Sequence, residues 1–327
     1  MNLKIGSTVL EYGLMLAPMA GFTDYAMRRI CHECGAEYSV TEMVSAKATV
    51  YGDKKTYKLA RITEYEGPVS LQIFGSEPEI MALAAQKLSH PIDGGVAPVA
   101  IDINMGCPVP KVFNNGEGSA LMKNPSLIYD IVKAVTGATS LPVSVKIRLG
   151  IDRAHINSVE CALAAEEAGA ALITVHGRTR SEMYSGSADI KEIARVKESV
   201  KIPLVANGDV TDSASAKRLF SETCADGIMI GRGSIGNPFL FGEIKAALSG
   251  AEYPDVDFTK KRDTALRQLA FAIEEKGEAV AVREARKQIA LYFKSFCGSA
   301  ELRARINCSL SYQDVEEAIR LAEKINL

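Results

Sequence analysis

The sequence predicts a (β/α)8 barrel of the TIM type followed by an all-α helical bundle. Short apolar runs recur with amphipathic stretches between them through roughly the first 240 of 327 residues, the rhythm of parallel β/α units. The runs are almost uninterruptedly apolar, as strands buried on both faces of a parallel sheet must be. Strand signals then stop: beyond about Asp257 only helical patterns remain.

Taken in order, the strand runs are Leu14–Pro18, the weaker Tyr38–Glu42, Val69–Phe74, Val99–Asn104, Val143–Ile147, Ala171–His176, Ile202–Asn207 and Gly227–Gly231. Between them lie the helical stretches Glu79–Leu88, Ser126–Val135, Ser158–Ala168, Ile190–Val200 and Ala214–Glu222. Eight strands in this length match a closed barrel, whereas a doubly wound open sheet normally needs fewer. Ser249–Pro254 reads as a linker, and Thr259–Glu275, Glu278–Cys297, an interrupted stretch near Leu302 and Tyr312–Lys324 as a bundle. The expected domains are therefore 1–248, a catalytic barrel, and 249–327, a helical unit.

Composition narrows the class. Hydrophobic residues at 47% and charged residues at 24% exclude a disordered or fibrous chain. A net charge of −2 supplies no global field for nucleic acid, though a local one remains open. With no tryptophan and 6% aromatics, the core must be aliphatic. Seven cysteines, an odd number scattered through the chain, imply thiols in a reducing compartment. Met1–Gly6 lacks the apolar run of a signal peptide, and no stretch nears the about 18 apolar residues of a membrane span. The expectation is a cytoplasmic protein with no membrane, metal or obligate protein partner.

The polar residues fall at the C-terminal ends of the strand runs, where barrels place their chemistry. They include Pro18-Met19-Ala20-Gly21, Gln72, Asn104 to Pro108, Lys146 with Arg148, His176-Gly177-Arg178, Asn207-Gly208-Asp209 and Gly231-Arg232-Gly233. The last two clusters suggest a phosphate site: glycine turns let backbone N–H groups approach an anion, and Arg232 adds a charged fork. Glycines serving turns alone are the bland alternative. Gln72, Lys146 and His176 could grip a planar heterocycle, and a cation beside a flavin would stabilise its reduced anion. Taken singly, Lys146 also reads as a solvated strand end and His176 as a structural histidine.

Cys107, in a Gly–Pro-flanked turn on the rim, is the candidate for chemistry. A thiol with an ordinary pKa of about 8.5 is mainly protonated at neutral pH and can donate a proton. Cys31-His32-Glu33-Cys34 lies in a helical pattern without a second pair, so no metal or redox role is assigned to it.

These rim residues, in this order, resemble the tRNA-dihydrouridine synthase family. The strings carrying the resemblance are Ala17–Asp24, Thr41-Glu42-Met43, Leu71-Gln72-Ile73, Ile101–Pro108, Val145–Arg148, Val175–Thr179, Ala206–Val210 and Met229–Gly233. It is strong over about 14–245 and weaker at Ala285-Arg286-Lys287. The resemblance implies an FMN-dependent reductase of tRNA uridines, with NADPH or NADH as reductant. It places FMN against Pro18, Met19, Ala20, Gln72, Lys146, His176, Asn207, Gly208, Asp209, Gly231 and Arg232. It makes Cys107 the general acid and puts Asn104 and Arg178 near the uracil. The acidic loop Asn115–Glu117 departs from the family pattern.

Reducing the uracil C5=C6 bond needs a hydride at C6 and a proton at C5, and the base must leave its stack to reach a barrel mouth. Between residues 260 and 305 there are 11 Lys/Arg against 6 Asp/Glu, an excess that suits a tRNA-holding tail with Arg283, Arg286 and Lys287 among its contacts. Solvated helix faces would carry the same charge. Two rivals remain at this stage. One is an FMN barrel acting on a free pyrimidine, like dihydroorotate or dihydropyrimidine dehydrogenases, and the other is a flavin-containing RNA-binding module without catalysis.

Overall fold

The computed structural model of the protein describes residues 2–326. Met1 and Leu327, the outermost residues of the two predicted ranges, lie outside the described residues. The chain opens with a hairpin that the apolar pattern does not announce, β1 (Leu3–Ile5) against antiparallel β2 (Thr8–Leu10). Then follow β3 (Leu14–Leu16), β4 (Tyr38–Val40), the two-residue β5 (Val44–Ser45), β6 (Val69–Phe74), β7 (Ala100–Met105) and β8 (Val143–Ile147). The last strands are β9 (Leu172–His176), β10 (Leu204–Asn207) and β11 (Gly227–Ile230).

Parallel pairing runs β3-β4-β6-β7-β8-β9-β10-β11 and returns to β3, which closes an eight-stranded barrel; β5 adds to the end of β6. Each predicted strand run thus holds one barrel strand. Alternation along each strand sends one set of side chains outward to the helices and the other into the lumen. On β7, Ile101, Ile103 and Met105 join the large cluster packed against the helices, while Ala100 joins an interior cluster with Met15, Tyr38, Leu172, Val205 and Met229. Leu3, Ile5 and Leu10 of the hairpin belong to that interior cluster. The hairpin therefore plugs the barrel floor, opposite the polar mouth.

The tail contains helices Phe258–Lys276, Glu278–Ile289, Ser299–Cys308 and Tyr312–Asn326. The predicted stretch Glu278–Cys297 is shorter as a helix: it tightens into a 3-10 turn at Ala290–Phe293, where adjacent Tyr292 and Phe293 both bury in the tail core. That core includes Phe258, Leu269, Val282, Ile289, Leu302, Ile306 and Ile319, whereas Phe271, Ala272 and Ala281 pack with the barrel cluster. Docking is also polar. Lys276 Nζ donates to Asp24 Oδ2 at 2.5 Å, and Arg267 pairs with Glu33 at 2.6 Å. A buried chain runs from Tyr292 through Gln268 to Gln288, whose amide donates to the Phe22 carbonyl at 3.3 Å on the barrel rim. Among the described residues, no helix is long and apolar enough to cross a membrane.

Candidate active site

Strand register builds the mouth. It sets Asn104 beside Lys146 on β7 and β8, and His176 beside Asn207 on β9 and β10. All four share the inward phase of their strands and form, with Gln72 of β6, a polar layer above the apolar interior. Lys146 Nζ donates to Asn207 Oδ1 at 3.0 Å, and Asn207 Nδ2 donates to the Met229 carbonyl at 2.7 Å, so the amide has one orientation. Burial, helped by the nearby Arg148 charge, pulls the Lys146 ammonium down to about 7. Burial and the cations of Lys146, Arg148, Arg178 and Arg232 hold His176 well below its ordinary range, as a neutral imidazole.

Cys107 is fixed from three sides. Its N–H and that of Gly106 donate to Asn104 Oδ1 at 2.9 and 3.2 Å. Its carbonyl accepts from Ser119 Oγ at 2.8 Å, and Arg148 Nε holds the Gly106 carbonyl at 2.8 Å. Burial pushes the thiol up; the Val109 N–H and the Arg148 and Lys146 charges pull the other way and are outweighed. The thiol therefore stays protonated at neutral pH, the form a proton donor needs.

On the opposite side, Gly208 has φ +150°, and a Cβ there would sit 2.5 Å from the Ala188 Cβ, so only glycine fits the turn. Arg232 is half exposed and reaches Asp209 Oδ1 at 3.3 Å, a long pair that an arriving anion can displace. Asp209 also takes Arg178 in a two-pronged pair at 2.9 and 2.7 Å, which leaves its backbone as what it offers an anion. Pro18 and Met19 are half-buried and Ala20 exposed, in a turn closed by the Met19 N–H to Thr23 Oγ1 bond of 2.8 Å. Gly231 begins the short 3-10 turn Arg232–Ser234.

Two residues expected to contact substrate are engaged by the protein's own groups. Arg178 is 1% exposed, and besides Asp209 its guanidinium donates to the carbonyls of Ser185 at 2.9 Å and Gly186 at 2.7 Å. Those bonds stitch the loop after β9 together. Arg286 is half-buried and donates to the Ser309 carbonyl, tying two tail helices. Arg283 and Lys287 remain exposed, and Lys287 Nζ stands 4.3 Å over the Phe22 ring at the rim. Sequence reasoning missed Asp102 and Ser144, which lie under the mouth, and gave Arg148 no role. The signal for Asp102 was present: a carboxylate in the run Ile101-Asp102-Ile103-Asn104, in phase with Asn104.

A closed parallel barrel with a protonated thiol, a depressed lysine and convergent amides at its mouth has the architecture of a barrel enzyme. Residues 15–326 match the dihydrouridine synthase family, and the chain belongs to it. A tRNA-dihydrouridine synthase B of Pseudomonas putida is 40% identical over 306 residues, 93% of this chain and 89% of that relative. One from Shewanella oneidensis is 41% identical over 291 residues, 89% of each chain. A probable tRNA-dihydrouridine synthase of Rickettsia conorii is 39% identical over 319 residues, 97% of this chain and 95% of its own. Among solved structures, histamine dehydrogenase from Rhizobium sp. 4-9 superposes with a TM-score of 0.57 at 14% identity, over 83% of this chain and 50% of that one. Morphinone reductase in complex with tetrahydroNAD gives 0.52 at 14%, over 80% and 93%. At that identity the likeness is one of fold alone.

Proposed function

We propose that the protein reduces the C5=C6 bond of uridines in tRNA to 5,6-dihydrouridine, using FMN and NADPH or NADH, in the cytoplasm. The observation carrying this reading is a thiol kept protonated on a turn fixed by Asn104 and Arg148, facing the same mouth as Gln72, Lys146, His176 and Asn207. The donor set fits FMN: amide and ammonium donors for a heterocycle on one side, and glycine turns with a displaceable Arg232 for a phosphate on the other. Pro18, Met19, Ala20, Gln72, Lys146, His176, Asn207, Gly208, the Asp209 backbone, Gly231 and Arg232 would hold it. A bound flavin supplies the hydride, which no side chain can deliver.

The chain's own residues do the rest. Lys146, with a pKa near neutrality, places a cation where negative charge accumulates on reduction. Neutral His176 donates a hydrogen bond without adding charge. Asn104 holds the Cys107 turn and has a second amide N–H for the extruded base. Cys107 gives its proton to C5 of the uracil and recovers one from water. We assign this chemistry to a barrel domain, 1–248, and the holding of tRNA to the helical domain, 249–327, with Arg283 and Lys287 as phosphate contacts.

The tail favours this over a free-pyrimidine substrate: it meets the rim itself, through Lys287 over Phe22 and Gln288 on the Phe22 carbonyl. Intact Cys107 argues against a silent binding module. Mapping dihydrouridine across tRNA from cells with and without the protein tests the reading. One or more positions should revert to uridine in its absence, and an unchanged map would contradict it.

A further inference from the structure

Asp102 is 2% exposed on β7, one inward step below Asn104. Its Oδ1 accepts from Ser144 Oγ at 2.5 Å and its Oδ2 from Gln72 Nε2 at 2.7 Å. Gln72 Oε1 in turn accepts from Asn104 Nδ2 at 2.8 Å, and Asn104 Oδ1 accepts the N–H groups of Gly106 and Cys107. The direction of this chain is fixed at both ends. A carboxylate can only accept, so Gln72 must turn its NH2 downward and its oxygen toward Asn104. Two backbone N–H groups can only donate, so Asn104 must turn its oxygen to the turn and its NH2 toward Gln72. The two demands meet in one bond with matching polarity. Reversing either amide would set oxygen against oxygen or N–H against N–H in a buried layer, where an unmade bond is costly.

We infer that Asp102 is a positioning residue: from beneath the mouth it sets the amide orientation of Gln72 and, through Asn104, the geometry of the turn that carries Cys107. No other group among the described residues forces that polarity from below, since Ser144 Oγ both donates and accepts. The backbone of Gln72 is separately pinned, its N–H donating to Thr41 Oγ1 at 3.0 Å, so only the side chain is left for Asp102 to orient. The catalytic consequence rests on the proposed reading of Cys107 as the acid; the positioning itself does not.

The test uses the full-length protein and two readouts. The first is the rate of Cys107 alkylation by iodoacetamide against pH, followed on the Cys107 peptide by mass spectrometry. The second is the single-turnover oxidation of pre-reduced enzyme by tRNA. In Asp102→Asn the amide at position 102 can offer either an oxygen or an N–H, so the polarity is enforced only by the two backbone N–H groups of the turn, no longer from below, and the turn loosens. Alkylation should rise about tenfold and turnover fall by about 10²-fold, the scale of a small misplacement at a reacting group. Asp102→Asn/Gln72→Glu rebuilds the direction: the amide at position 102 donates to the carboxylate at position 72, which still accepts from Asn104. That double variant should return the alkylation profile to within about twofold of wild type, whatever it does to flavin affinity. Ser144→Ala, which frees one carboxylate oxygen, should move alkylation the same way by a smaller factor and serves if Asp102→Asn fails to fold. An unchanged alkylation profile in the variants that fold overturns the inference, as does a double variant no closer to wild type than Asp102→Asn. Altered alkylation with wild-type turnover would uphold the positioning role and remove Cys107 as the acid.

Discussion

At the barrel mouth, Arg148 and Arg178 are 3% and 1% exposed, and their bonds go to the protein's own loops: the carbonyls of Gly106, Thr179, Met183, Ser185 and Gly186, and Asp209. In the tail, Arg283 and Lys287 stand in solvent, while Arg262, Arg267, Lys276 and Arg305 are spent on ion pairs. The two regions use the same residue types for different ends. Buried cations at the mouth shape loops and shift neighbouring pKa values in a weakly screened environment. Exposed tail cations act through a field that salt weakens over about 10 Å. Substitutions at the mouth should therefore have large, salt-insensitive effects, and those in the tail small, salt-dependent ones.

The largest effect is expected at Cys107. Cys107→Ala should retain flavin and tRNA binding but lose uracil reduction by about 10²–10⁴-fold, the range for a positioned general acid. Cys107→Ser, equal in shape but far less acidic, should be slow as well. A serine variant with wild-type turnover would make the residue a packing element.

Next is Arg178→Met, which strips Asp209 of its two-pronged partner and frees two carbonyls. A loss of about 3 kcal/mol in urea unfolding is expected, nearly the same at low and high salt. A cost that fades with salt would place Arg178 with the tail cations.

Lys146 gives a pH-dependent effect. Its folded pKa of about 7 lies below its ordinary 10.5, so the unfolded chain holds the proton more tightly between those values and stability rises with pH across them. Lys146→Met should then stabilise the flavin-free protein most below pH 7, by about 1 kcal/mol or roughly 2–4 °C in Tm. The gain should shrink toward pH 10. A gain independent of pH would mean the ammonium is not strained by burial.

The smallest effect belongs to the tail. Arg283→Ala with Lys287→Ala should weaken tRNA binding modestly and reduce the slope of log affinity against log salt by about one for each phosphate no longer neutralised. Flavin reduction by NADPH should not change. An unchanged slope would leave the tail as a structural cap.

The barrel was legible because parallel strands buried on both faces leave an apolar signature, and the mouth because polar residues end those runs. The floor hairpin escaped because its strands alternate exposed and buried positions, with Lys4 and Thr8 among them, and so lack the continuous apolar run by which the barrel strands are read. Helix Leu240–Ser249 escaped as well: Gly242, which a Cβ would drive into the Tyr253 ring, weakens its helical signal. Candidate residues on strands landed where alternation sends them. The partners of Arg178 and Arg286 were not legible, since they include backbone carbonyls whose positions depend on loop conformation. Asp102 was readable in principle from alternation alone, but its partners on β6 and β8 became visible only through the register.

The most direct measurement is anaerobic. Enzyme reduced with NADPH is freed of excess reductant and mixed with unmodified tRNA transcript, while flavin absorbance and dihydrouridine content are followed together. Flavin reoxidation should be matched one for one by dihydrouridine, with no comparable reaction from free uridine. A flavin that stays reduced beside a transcript with every uridine intact would contradict the proposed function.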